Sequence, residues 1–202
     1  MASEVDISNL ALARLGDEAT VSSINPAEGS AQAGHCARFY PMARDVLLEG
    51  HSWRFATRRA ILAQLPVNAW SSWAYAYAAP NGTLRALAVL PAGADEKTVS
   101  QEFSVESDES GNPVIYTNQP AATLLYVARV TDTTKFSPLF VDALAWLLAS
   151  YLAGPIFKGD VGAKIAQNCF AAHRAVLSAA TVSDANQLSV RAQANAPWIQ
   201  GR

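Results

Sequence analysis

From Leu139 to Phe157 the chain is nearly all apolar, a run about long enough to cross a bilayer. Asp142 sits inside it, Gly154-Pro155 interrupts its end, and no basic flank sets an orientation. A helix apolar on most faces then belongs in a core or a subunit interface, covered on several sides. The rest of the chain must supply those covers.

The flanking periodicities say which elements do so. Residues Val5 to Leu15 carry Ile7, Leu10, Ala11 and Leu15 on one helical stripe, with Gly16 as the stop. A polar loop through Asn25-Pro26 and Gly29 leads to a second helix over about Ala31 to Leu48, ended by Gly50. Pro41 lies within it, so a kink or break is expected near Tyr40. The period then changes. Trp73, Tyr75 and Tyr77 alternate with small residues, the two-residue repeat of a strand with one aromatic face, which should pack on the helices. Pro80-Asn81-Gly82 signals a turn into a returning strand over Leu84 to Leu90, and Pro91 to Lys97 reads as a loop. Phe103 and Val105, Val114 to Thr117, and Leu124 to Val130 mark further strands. Ser137-Pro138 fits an N-cap with proline at the first helical position, and Phe136 is placed to staple Val141. A last helix begins near Asp160, with Val161, Ile165, Cys169, Ala172 and Val176 on one face.

The fold class expected is α+β: N- and C-terminal helices packed as one helical lobe, with an inserted antiparallel meander of four or five strands. The divisions are an N-terminal helical part over residues 1–66, a β lobe over 67–132, completing helices over 133–182 and an extended tail over 183–202.

Half of the 202 residues are hydrophobic and 16% are charged, enough for one compact domain or two small lobes sharing a core. The net charge of −2 provides no global basic field for nucleic acid. Two cysteines, Cys36 and Cys169, do not make a disulfide framework, and the acidic N-terminus does not read as a secretion signal. Synthesis in a reducing cytoplasm, with no membrane partner, is the expectation.

Motifs for chemistry are sparse. Cys169 and His173 are one helical turn apart, but His35 and Cys36 are adjacent and diverge on a helix, so no metal is expected; a buried thiol beside a surface imidazole is the simpler reading. His51-Ser52 lacks a nucleophile-elbow context, and neither a P-loop nor GxGxxG is present. No catalytic residue, no cofactor and no enzyme activity are expected. Asp95, Glu96, Glu102, Glu106, Asp108 and Glu109 against Lys97 form an acidic stretch, read as a solvated edge or as a negative wall facing passing DNA. Arg54, Arg58, Arg59 and Arg85 lie among Trp53, Phe55, Trp70, Trp73, Tyr75 and Tyr77. With Asp45 and Glu49 nearby, that mixture suits a protein interface or internal pairing better than a grip on DNA.

The ordered series of short sequences resembles one family. It runs Asn9-Leu10-Ala11-Leu12-Ala13-Arg14-Leu15-Gly16, Ser22-Ser23-Ile24, Cys36, Tyr40, Arg44-Asp45, and His51-Ser52-Trp53-Arg54-Phe55-Ala56. It continues through Trp73-Ala74-Tyr75-Ala76-Tyr77, Ile115-Tyr116-Thr117-Asn118, Tyr126, Arg129-Val130, Phe136, Pro138, Phe140 and the alanine–leucine pairs up to Lys158. The family is the podovirus-type tail tubular protein A, the head-to-tail adaptor of a phage. Ser52, Arg54 and Gly82-Thr83 depart from its usual proline, asparagine and aspartate-cysteine. The resemblance implies a virion structural protein at the head–tail junction. About a dozen copies would form a ring between the portal protein and a tail nozzle of the tail tubular protein B type. Double-stranded DNA would pass through its channel during genome ejection without specific binding. A small soluble enzyme with a pocket between the aromatic strand and the helices, and a DNA-binding module, are the alternatives.

The tail after Leu188 ends Pro197-Trp198-Ile199-Gln200-Gly201-Arg202. Trp198, Ile199 and Arg202, together with Arg54 and Arg58, form the expected partner interface, because tryptophan and arginine are common anchors. The tail either docks on a portal or neighbouring subunit, or folds back on its own.

Overall fold

A computed structural model describes residues 2–18, 20–66, 72–94 and 98–187. Trp70, Asp95, Glu96, Lys97, Trp198, Ile199 and Arg202 lie outside the described residues. The architecture is α+β, with helices on both sides, in sequence, of antiparallel strands. Two helices come first, α1 (Glu4–Arg14) and α2 (Ala31–Gly50). Seven strands follow among the described residues: β1 (Thr57–Ile61), β2 (Ala63–Gln64), β3 (Tyr75–Ala78), β4 (Thr83–Leu90), β5 (Phe103–Ser107), β6 (Pro113–Thr117) and β7 (Thr123–Ala128). The helices α3 (Pro138–Phe157) and α4 (Gly159–Ala185) close the order. The sheets thus begin at Thr57, ahead of the expected division at residue 67.

The apolar run is α3, and its covers are the other helices: α1, α2 and α4 all pack on it. Phe140, Leu144, Leu148 and Leu152 are fully buried along it. Asp142 is not a stray charge, because Arg14 on α1 forms an ion pair with its carboxylate and donates to its backbone carbonyl at 2.8 Å. The same guanidinium lies 4.3 Å from the Trp146 ring centroid, a cation–π contact that ties α1 to α3 a second time. Ser137 caps α3 through the Phe140 N–H at 3.2 Å, with Pro138 in the first turn. Phe136 pairs with the Phe140 ring at 4.7 Å, in the same core cluster on which Val141 packs. Gly154-Pro155 does not end α3, which continues to Phe157, so any break falls only within its last turn. Lys158, at φ +53°, and Gly159, at φ +56°, then reverse the chain into α4. The hairpin is tight: a Cβ on Gly162 would come 3.1 Å from the Ala153 carbonyl oxygen.

Two helical expectations change. α2 is unbroken through Pro41, because Ala33, Cys36, Tyr40, Ala43, Leu47 and Leu48 hold both halves against the same core. Pro41 itself is exposed, so its ring meets solvent on the outer face. On α1, Leu12 takes the buried place assigned to Leu10, which is 39% exposed.

The strands form two sheets, in the orders β1-β7-β4 and β2-β3-β6-β5. Strand β7 uses both faces. Val127 joins the helical core, whereas Leu124, Tyr126 and Ala128 face the second sheet. The three-stranded sheet is therefore a middle layer between helices and the four-stranded sheet. That placement corrects the reading of the aromatic strand. Tyr75 and Tyr77 pack between the sheets with Leu62, Val89 and Ile115, not on the helical lobe. Trp73 precedes β3 and packs with Ala76, Val114 and Tyr116 on the other side of that sheet. Strand β4 is not the hairpin partner of β3 either; it pairs with β7, and β3 pairs with β6.

Candidate functional site

The segment His51-Ser52-Trp53-Arg54-Phe55 joins α2 to β1, and its geometry is set by hydrogen bonds to distant residues. Trp53 is fully buried and its indole N–H donates to the Leu47 carbonyl at 2.8 Å. The ring meets Phe140 edge-on at 5.0 Å and His51 at 4.8 Å. Phe55 completes the cluster against Phe136 and Phe140. These aromatics are core pillars, not an exposed platform.

Asp184, in the last turn of α4, closes the arrangement. It is 6% exposed, accepts the Arg54 backbone N–H at 3.1 and 3.2 Å, and lies 3.2 Å from His51 Nε2. The chain's two ends of the helical lobe are thereby clamped together. Nothing in the sequence reading pointed to Asp184. One signal was present: a carboxylate near a helix C-terminus opposes the macrodipole, so a specific partner must offset the cost.

Beside this clamp lies a groove of about 420 Å³. Val46, Leu47 and Gly50 of α2 form one wall, Phe170, His173, Leu177 and Thr181 of α4 the other, and Leu147 and Tyr151 of α3 the floor. His51 closes one end. Val46 and Phe170 are about half exposed on opposite rims. The four α4 residues fall on one stripe, because their spacing of three and four matches the helical repeat. This pocket is among helices; the space between the aromatic strand and the helices is filled by the three-stranded sheet.

His173 is buried, not the surface imidazole expected beside Cys169. Its Nδ1 lies 2.8 Å from the Ala143 carbonyl, an acceptor, so Nδ1 carries the proton and donates. Burial holds the His173 pKa below the usual histidine value, against a smaller opposite pull from that bond. Burial likewise raises the thiols of Cys36 and Cys169, which keeps them protonated and unreactive. No cluster of three potential metal ligands occurs among the described residues. His51 is oriented by a carboxylate, as a general base would be, but the neighbouring Ser52 hydroxyl accepts from Arg85 Nη2 at 2.9 Å. The arrangement acts as a clamp between elements.

Of the expected interface residues, Arg54 sits at the clamp with its side chain exposed, and Arg58 is exposed on β1. Asp45 does not serve this cluster; it pairs with Arg44 at 2.9 Å and Arg129 at 2.8 Å. Glu102, Glu106, Asp108 and Glu109 are exposed, and Asp108 organises the β5–β6 turn by accepting from Ser110 and Asn112. The fold is α+β, with an apolar groove on its helical lobe. No protein-family model matches the chain, and no curated protein matches it in sequence.

Proposed function

We propose that the chain is a structural ring adaptor of the tail tubular protein A type, placed in a virion between the portal and the tail nozzle around the DNA channel. The observation that carries this reading is the apolar helical face. Val46 and Phe170 flank the groove, and Met42 stands one turn along α2, 47% exposed. Apolar side chains grouped around a concavity mark a surface that meets another protein. The ordered resemblance of the sequence supplies the kind of assembly. The exposed acidic side chains from Glu102 to Glu109 suit a surface that lets a duplex pass, because like charge repels phosphate.

Electron microscopy of the chain mixed with its matched portal tests the proposal. Rings of the chain seated on the portal are expected. Portals that stay bare at high adaptor concentration would overturn it. A second measurement separates the DNA-binding reading: the adaptor shows no salt-sensitive duplex binding as an isolated chain, whereas a DNA module does.

A further inference from the structure

We propose that β1 of one copy of the chain pairs, antiparallel, with β5 of the next, Ile61 lying opposite Val105 and Arg58 opposite Asp108. The pairing rests on the ring-adaptor proposal for its use, and it names the surfaces through which copies meet.

Both strands are sheet edges. Strand β1 ends the order β1-β7-β4, and β5 ends the order β2-β3-β6-β5. On β1, the Leu62 N–H donates to Ala122 and Ala56 accepts from Ala128, which turns the backbone groups of Arg59 and Ile61 away from β7. On β5, the Asp108 N–H donates to Asn112, so Val105 and Ser107 likewise turn theirs away from β6. Among the described residues, the outer sides meet another strand only where Gln101, ahead of β5, bridges to Val89. An open edge of this kind is a template for a further strand.

Charge selects the partner. Arg58 and Arg59 are exposed on β1, whereas Glu102, Glu106, Asp108 and Glu109 are exposed along β5 and its ends. Two β1 edges would set arginines together, and two β5 edges would set carboxylates together. Each edge therefore repels a copy of itself and attracts the other. The exposed apolar residues choose the register: Ile61 is 84% exposed and Val105 49%. Placing them opposite one another sets Arg59 against Ser107 and Arg58 against Asp108, with Glu106 on the diagonal. A shift by two residues would instead carry Ile61 to Phe103, where the Val89–Gln101 bridge already brings β4 close.

The two edges lie on opposite flanks of the β strands. On one flank β4 meets the segment before β5 at that bridge; on the other, β1 runs through Leu62 directly into β2. A contact between unlike surfaces is heterologous and repeats from copy to copy, as a ring requires.

The test uses two full-length variants, Ile61→Cys and Val105→Cys, concentrated and mixed in equal amounts without a portal. The proposed hydrogen-bonded pair sets the two Cα atoms about 5.5 Å apart, within the range a disulfide spans. Mild oxidation is expected to give a reductant-sensitive mixed dimer, at least tenfold above the dimer yield of either variant alone. The native thiols Cys36 and Cys169 are buried, and the separate variants control for them. Arg58→Glu in the Ile61→Cys chain should lower the mixed yield at least tenfold, while Arg58→Lys should hold it within about twofold; an unchanged Tm shows that these exposed substitutions leave the fold intact. Absence of the mixed dimer, like-with-like dimers in excess of it, or a yield indifferent to Arg58→Glu would overturn the pairing. Rings seated on a portal without this cross-link would sink the pairing and spare the adaptor reading, whereas bare portals beside a strong cross-link would do the reverse.

Discussion

Asp184 shows how one side chain can join distant parts of a fold. A buried carboxylate satisfied by a backbone N–H and an imidazole leaves both unpaired when truncated. Asp184→Ala should therefore cost about 1–3 kcal/mol in urea unfolding, with Asp184→Asn losing less because its amide oxygen still accepts from Arg54. A loss below a few tenths would mean that water replaces the clamp freely. His173 sets a pH dependence of defined sign. Its folded pKa is lowered, so between the folded and unfolded values the unfolded chain binds the extra proton. Its contribution is complete above the unfolded value of about 6.5 and is lost as pH falls below it, levelling off beneath the folded value. His173→Gln should flatten the slope of Tm against pH in that window while leaving the carboxylate-driven loss at lower pH in place. Asp6, Glu28, Asp108 and Asp132, whose hydrogen bonds lower their pKa values, titrate in that lower range. An unaltered slope in the variant would show that another group titrates there.

At the scale of elements, α2 is informative because it contradicts a local rule. Proline in a helix interior removes a donor and clashes with the preceding turn, at a cost of about 3 kcal/mol. The helix tolerates this because its buried stripe from Ala33 to Leu48 contributes more than the local defect costs. Pro41 is exposed, so Pro41→Ala should restore the bond to the Ala37 carbonyl and stabilise the protein by about 1–3 kcal/mol. Urea midpoints measure it. Destabilisation instead would mean that the packing of α2 on α3 depends on a bend imposed by the proline. The α3–α4 hairpin carries the opposite sign. Gly162→Ala, normally worth about 1 kcal/mol in a helix, should instead lose about that much, because the added methyl meets the Ala153 carbonyl of the facing helix.

At the scale of the whole molecule, three layers share the burial: helices, a three-stranded sheet, and a four-stranded sheet with the tyrosines between. The middle sheet is covered on both sides, which leaves the groove rims on the helical lobe as an outward apolar feature. On the proposed adaptor reading the chain must stay soluble before it meets a portal, so the isolated chain should be a monomer or small oligomer at micromolar concentration. Light scattering would report it. Spontaneous large rings without a portal would require a different account of how assembly is timed.

Much of this architecture was legible in one dimension. Ser137-Pro138, Gly16 and the stripe through Ile7 and Ala11 place helix ends and faces, because capping and amphipathic burial act within a few residues. The α+β class followed from the change of period near Trp73. The apolar run of α3 demanded covers, and α1, α2 and α4 supply them. What the local pattern does not contain is which strand pairs with which. Alternation states that Tyr75 and Tyr77 share a face, yet the partner across that face is a second sheet, decided by the long-range pairing of β7 with β1 and β4. Strands β1 and β2 passed unread, since Arg58, Arg59 and exposed Ile61 mask any alternation. The candidate site was less legible still. Asp184 lies 130 or more residues from His51 and Arg54, and they meet only because α4 folds back along α3. Short-range order resides in residue types and spacing, but a groove between helices exists only once tertiary packing has chosen their neighbours.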